Sequence, residues 1–145
     1  MAAEPKTRPT DASVDEFIDK QADETRRDDC RAIVALMKSI TKQEPVMWGP
    51  AIIGFDAYNL PNSSGKSYTW PLAAFSPRKQ SLTIYTSPGI KGYKSLLKKV
   101  GKAKQSGVCL HFKRLSDVHV PTLKIMITGS YKEGIRKYGK AKSPK

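Results

Sequence analysis

Between Ala57 and Ser116 the chain has no aspartate and no glutamate. Cysteine and histidine are also scarce, with two of each in 145 residues. Each scarcity excludes something. Two thiols far apart in sequence, Cys30 and Cys109, make no disulfide framework, and both are expected to be free, buried thiols of an intracellular protein. So few histidines and cysteines leave few nucleophile–base pairs. Neither a glycine-rich phosphate loop nor a Gly-x-Ser-x-Gly elbow is present, so the chain reads as a binding protein more readily than as an enzyme. Helix-turn-helix, zinc-finger and RNA-binding signatures are missing too, so nucleic acid is admitted as a partner by charge alone. No apolar run approaches the roughly 18 residues that a membrane-spanning helix needs. The opening stretch Met-Ala-Ala-Glu-Pro-Lys-Thr-Arg-Pro-Thr lacks the apolar block of a signal peptide, and a cytoplasmic location is expected.

What the chain does have is positive charge, unevenly placed. Residues 1–56 hold 11 acids and 8 bases, whereas residues 57–145 hold 2 acids and 18 bases, giving +13 overall. A bias of that size favours an anionic partner without naming it: a nucleic acid, a phosphorylated metabolite and an acidic protein all qualify.

Taken in order, residues 1–12 mix proline, threonine, alanine and charge without a period, and read as a flexible tail. Ser13 is placed to cap a short helix, with Glu16 completing a capping box. Asp23 is placed to cap a second helix, along which Cys30, Ile33, Val34, Met37 and Ile40 recur at helical spacing until Pro45 stops it. Val46–Pro50 reads as a rigid, aromatic-anchored turn, Ile52–Tyr58 as a strand, and Asn59–Ser67 as a hairpin loop. Trp70–Tyr85 reads as an antiparallel hairpin whose turn, Ser76–Gln80, is set by Pro77. A helix follows, with Ile90, Tyr93, Leu96, Leu97 and Val100 on one side and Lys91, Lys94, Lys98 and Lys99 on the other. Gly101–Gly107 reads as a basic loop and Val108–Phe112 as a fourth strand. Pro121 then opens a last helix, striped by Leu123, Met126, Ile127 and Tyr131. The expectation is one α+β domain over 13–136: a four-stranded antiparallel sheet with helices packed mainly on one face, followed by a loose basic tail, 137–145. The uncovered face would carry Thr83, Tyr85, Cys109 and His111, with Phe75 and Phe55 nearby, as a pocket floor.

Several stretches resemble the YdhG-like family of uncharacterised bacterial domains: Val14-Asp-Glu-Phe-Ile18, Met47-Trp-Gly-Pro50, Ile53-Gly-Phe55, Trp70-Pro-Leu72 and, most specifically, Phe75-Ser-Pro-Arg-Lys-Gln80 with Leu82–Tyr85. The likeness spans roughly residues 13–133. It implies a compact bacterial cytosolic domain. Because one branch of the family is described as frataxin-like iron chaperones, it also implies iron as an alternative ligand. The chain departs from the pattern in its dense lysines through 91–104 and in His119, where an acidic helix cap is expected. Both departures count against a cation-binding surface in that half.

Three functional readings follow. In the first, Arg78 and Lys79 grip an anion while Trp48, Trp70, Phe75, Tyr85 and His111 form the floor on which a ring stacks, without catalysis. The second is iron handling by Asp15, Asp19 and Asp23, which share a face only if the helix runs unbroken between them. The plain alternative for these acids is a solvated helix face whose charges suit the helix dipole. The third is an adaptor docking an acidic protein. Cys109 and His111 offer two metal donors from one strand, but a closed site needs three or four.

Overall fold

The computed structural model describes residues 10–21, 23–49, 51–61, 67–78, 81–85, 93–106 and 109–138. Helix α1 (Val14–Asp19) starts where Ser13 Oγ accepts a hydrogen bond from the Glu16 amide at 3.1 Å. Helix α2 (Glu24–Thr41) starts where Asp23 accepts from the Thr25 amide at 3.1 Å. It ends before Pro45, at Lys42, whose left-handed φ of 60° lets its amide bond the Lys38 carbonyl. Ser13 and Asp23 therefore cap their helices as the sequence predicts.

The remaining elements are β1 (Val46–Trp48), β2 (Ile52–Phe55), β3 (Tyr58–Pro61), β4 (Ser67–Trp70), β5 (Ala73–Pro77), β6 (Leu82–Tyr85), α3 (Tyr93–Val100), β7 (Lys104–Ser106), β8 (Cys109–Phe112) and α4 (Val120–Tyr138). Six strands form one antiparallel sheet in the order β1-β2-β5-β6-β8-β7, and β3 and β4 form a separate ribbon. The α+β class stands, but the sheet is six-stranded and not four-stranded. The two additional strands are β1, inside the expected turn, and β7, inside the expected basic loop; each has three residues, too few to display a period of two. β7 is exposed throughout and joins the sheet by backbone pairing alone.

Two further boundaries move. The strand expected over 52–58 breaks at Asp56, which takes φ 60°, a conformation a short carboxylate side chain tolerates. The chain leaves the sheet there and returns through Trp70, which pairs with Tyr58 in the ribbon and so does not begin the central hairpin. In that hairpin Pro77 is a strand residue opposite Leu82, and the closing bond runs from the Arg78 amide to the Ser81 carbonyl at 2.7 Å. Alternation of the ladder turns the Pro77 nitrogen away from β6, so its missing N–H leaves that pairing intact. Lys79 and Gln80 lie outside the described residues.

One apolar cluster sits between the helices and one face of the sheet. Ile18 of α1, Cys30, Ile33 and Met37 of α2, Val100 of α3 and Leu123, Met126 and Ile127 of α4 meet Met47, Ile53, Phe55, Phe75, Leu82, Ile84, Leu110 and Phe112. Register agrees, because Ile53, Phe75, Ile84 and Leu110 are successive cross-strand partners and so share that face. Phe55 and Phe75 are thus core residues with no exposed surface, and they do not join the polar face where the sequence reading put them. A smaller cluster of Leu72 and Tyr131, flanked by Ile40, Trp70 and Ile135, ties α4 to the ribbon.

Candidate functional site

The face turned away from this core holds two cross-strand rows. One runs Gly54, Ala74, Tyr85, Cys109, Ser106; the other runs Ile52, Ser76, Thr83, His111, Lys104. The two ends of these rows differ. At the β1–β2 end Trp48 is buried, and its indole lies so close over Gly54 that a Cβ there would come within 2.5 Å of it and 2.8 Å of Pro71. Trp48, expected as part of a ring-stacking floor, is a packing residue. At the β6–β8–β7 end Tyr85, Cys109 and His111 are half-buried, while Lys104 and Ser106 are exposed. Among the described residues this is the more open half of the face, with Ile52 half-buried at the other end.

Arg78 and Tyr85 define that half. Arg78 Nη2 donates to the Tyr85 hydroxyl at 2.8 Å. The two residues lie on either side of the Ser76–Thr83 row, so their contact passes over it, and Ser76 and Thr83 are both buried. The bond to Tyr85 raises the Arg78 pKa beyond its ordinary value, which keeps the guanidinium charged. Tyr85 in turn meets Trp70 edge to face, with ring centroids 6.1 Å apart and planes at 86°. Thr83 Oγ1 lies 2.9 Å from His111 Nδ1, so the buried hydroxyl is satisfied and the imidazole is held in place.

Of the residues expected at a ligand site, Arg78, Trp70, Tyr85 and His111 come together on this open half. Phe75 and Trp48 do not, and Lys79 lies outside the described residues. Of the lysines in 91–104, Lys104 shares the open face with His111. Lys94, Lys98 and Lys99 ride on α3, which packs on α4 and sends Val100 into the core on the covered side. Sequence reasoning counted Lys104 only within the lysine run 91–104, expected along the open face; its pairing with His111 separates it from Lys94, Lys98 and Lys99, which α3 carries on the covered side.

Cys109 sits beside this group with a raised pKa, because burial disfavours the thiolate more than the nearby Arg78 charge favours it. His111 directs Nδ1 to Thr83, and cross-strand pairing sets Cys109 opposite Tyr85. A raised thiol pKa is the reverse of what a nucleophile needs, so the pair is not an activated thiol. Cys30 of α2 is in the core while Cys109 lies on the opposite face of the sheet; both are free thiols, as expected, but Cys109 is half-buried where burial was expected.

The acids proposed for iron do not converge. The helix is interrupted between Asp19 and Asp23, which removes the shared spacing. Asp19 pairs with Arg31 at 2.6 Å, and Asp23 caps α2. Among the described residues no group of three or more His, Cys, Asp or Glu side chains is placed to hold a metal ion. The acids that are described thus offer no shared set of donors for iron. An open groove of about 450 Å³ does lie beside α1 and α2, lined in part by Asp15, Arg31, Lys38 and Glu44. Its charges neutralise one another: Lys38 bonds Glu44 at 2.9 Å and Arg31 bonds Asp19. By contrast, no carboxylate among the described residues pairs with Arg78 or Lys104.

No described helix is long and apolar enough to cross a membrane. No family model, no curated protein and no solved structure matches the chain.

Proposed function

We propose that the chain is a non-enzymatic binding module for an anionic partner, held on the helix-free face of the sheet. Arg78 and Lys104 supply the charge, His111, anchored from beneath by the buried Thr83 hydroxyl, the polar floor, and Tyr85 with Trp70 an aromatic flank. On this reading the YdhG-like resemblance reflects the scaffold, and the cationic open half of the face carries the function. The observation behind it is the Arg78–Tyr85 contact: a guanidinium fixed at 2.8 Å by a phenol, without a carboxylate partner among the described residues. It lies within a stretch, 57–116, that contains no acid. A cation held in place but not neutralised has its hydrogen-bonding capacity left for a ligand, and guanidinium is suited to two-pronged contact with phosphate or carboxylate.

Calorimetric titration with pyrophosphate and with a nucleoside monophosphate tests the proposal. Arg78→Ala combined with Lys104→Ala should weaken binding at least about tenfold, because each charge-assisted hydrogen bond contributes on the order of 1.5–3 kcal/mol. Tyr85→Phe should weaken it less, by freeing Arg78 while leaving its charge. Affinity indifferent to both changes and to added salt would remove this face as the site.

A further inference from the structure

We infer that the partner on this face is single-stranded nucleic acid, bound with a base against the Trp70–Tyr85 pair and its phosphates along Arg78 and Lys104; this rests on the anion-binding reading above. Charge alone does not separate a nucleic acid from an acidic peptide. The aromatic pair does. Among aromatic side chains the structure describes, Phe55, Phe75, Phe112, Trp48 and Tyr131 are buried. Trp70 and Tyr85 remain half-buried, as does Phe17 on α1. Phe17 packs among the helices, whereas Trp70, though it also packs on the Leu72–Tyr131 cluster, reaches Tyr85. Tyr85 meets Trp70 and also holds Arg78, which has no carboxylate partner among the described residues.

A base offers a flat apolar face beside a phosphate, and this combination matches a ring and a guanidinium held together. A glutamate or aspartate side chain offers the charge but nothing to stack. Lys104 on β7 lies two strand intervals, about 9–10 Å, from β6, which carries Tyr85. Two successive phosphates span that gap better than a lone one. Lys113 follows β8 directly and is exposed, which carries positive charge along the same margin. Hydrogen-bond readout of base edges has few side chains to draw on, so the expected recognition is of stacking and backbone, with weak sequence preference.

The test uses the full chain and four probes: a ten-nucleotide single-stranded DNA, a duplex of the same sequence, polyphosphate, and a poly-glutamate peptide. Binding is read by fluorescence anisotropy and by quenching of tryptophan emission. The single strand should bind tightest and quench Trp70, and the logarithm of its affinity should fall with the logarithm of salt with a slope near −1.4 to −2, about −0.7 per phosphate neutralised. Tyr85→Leu should weaken the single strand about tenfold and polyphosphate no more than Tyr85→Phe does, since both variants free Arg78 and only the first removes the ring. Trp70→Ala should do the same; if that variant does not fold, Tyr85→Leu and the quenching data carry the comparison. If polyphosphate or poly-glutamate binds as well as the single strand, without quenching and without response to Tyr85→Leu, the nucleic-acid inference is overturned while the anion site stands. A preference for the duplex overturns it as well. Loss of every probe's binding would instead remove the anion-binding reading itself.

Discussion

Arg78 has a long side chain that would ordinarily sample many rotamers, and one bond to Tyr85 gives it a direction. The same logic of satisfied polar groups runs through the interior. Tyr131 donates to the Asp56 carboxylate at 2.8 Å, joining α4 to the end of β2. Asp29 accepts from Arg114 Nε at 3.3 Å and from the Leu115 amide at 3.0 Å, joining α2 to the segment after β8. Cys30 represents the opposite case, a titratable group kept neutral. Burial pushes its thiol from 9.0 up to about 11, with the Arg26 charge pulling weakly the other way. A thiol that holds its proton more firmly when folded contributes stability that is complete below the unfolded pKa and is lost as pH rises from about 9 through about 11. The stability advantage of the native chain over Cys30→Ala in urea denaturation should therefore shrink between about pH 8 and about pH 10.5. A gap that stays constant over that range would show that the thiol is not protected by the fold.

At the scale of elements, short stretches distant in sequence meet between strands. Trp48, Gly54 and Pro71 come from three of those stretches and touch one another where β1 and β2 meet the start of β5. Gly54 is glycine because the Trp48 indole occupies the space a Cβ would need. Gly54→Ala should cost about 1–3 kcal/mol of stability by chemical denaturation, the range for overfilling a packed site. It should also shift tryptophan emission as Trp48 is displaced toward solvent; unchanged stability with unchanged emission would mean the indole yields freely. The helices were legible from their caps and stripes, since Ser13, Asp23 and the Leu123–Met126–Ile127 pattern act locally. The short strands were not. β1 and β7 owe their existence to neighbours distant in sequence, and β7 has no apolar residue to announce it.

For the molecule as a whole, the net charge of +13 favours expansion through self-repulsion. Screening should relieve it, so raising sodium chloride from about 20 to about 200 mM should increase the thermal midpoint by a few degrees. A midpoint that falls with salt would indicate that specific ion pairs outweigh the general repulsion. The α+β class, the helical stripes, the alternation of Leu110 and Phe112 against Cys109 and His111, and the acid-free middle of the chain were all determined by the sequence by itself. Each is a property of neighbours a few residues apart, or of composition. Which aromatics would be reachable was decided by tertiary structure alone. Trp48 and Phe75 have the same local character as Trp70 and Tyr85, yet the first two are sealed by Gly54 and by the helices. Lys104 joins the face only because β7 pairs with β8. The physical reason is that burial depends on what the rest of the chain lays over a side chain, and no local pattern encodes that covering.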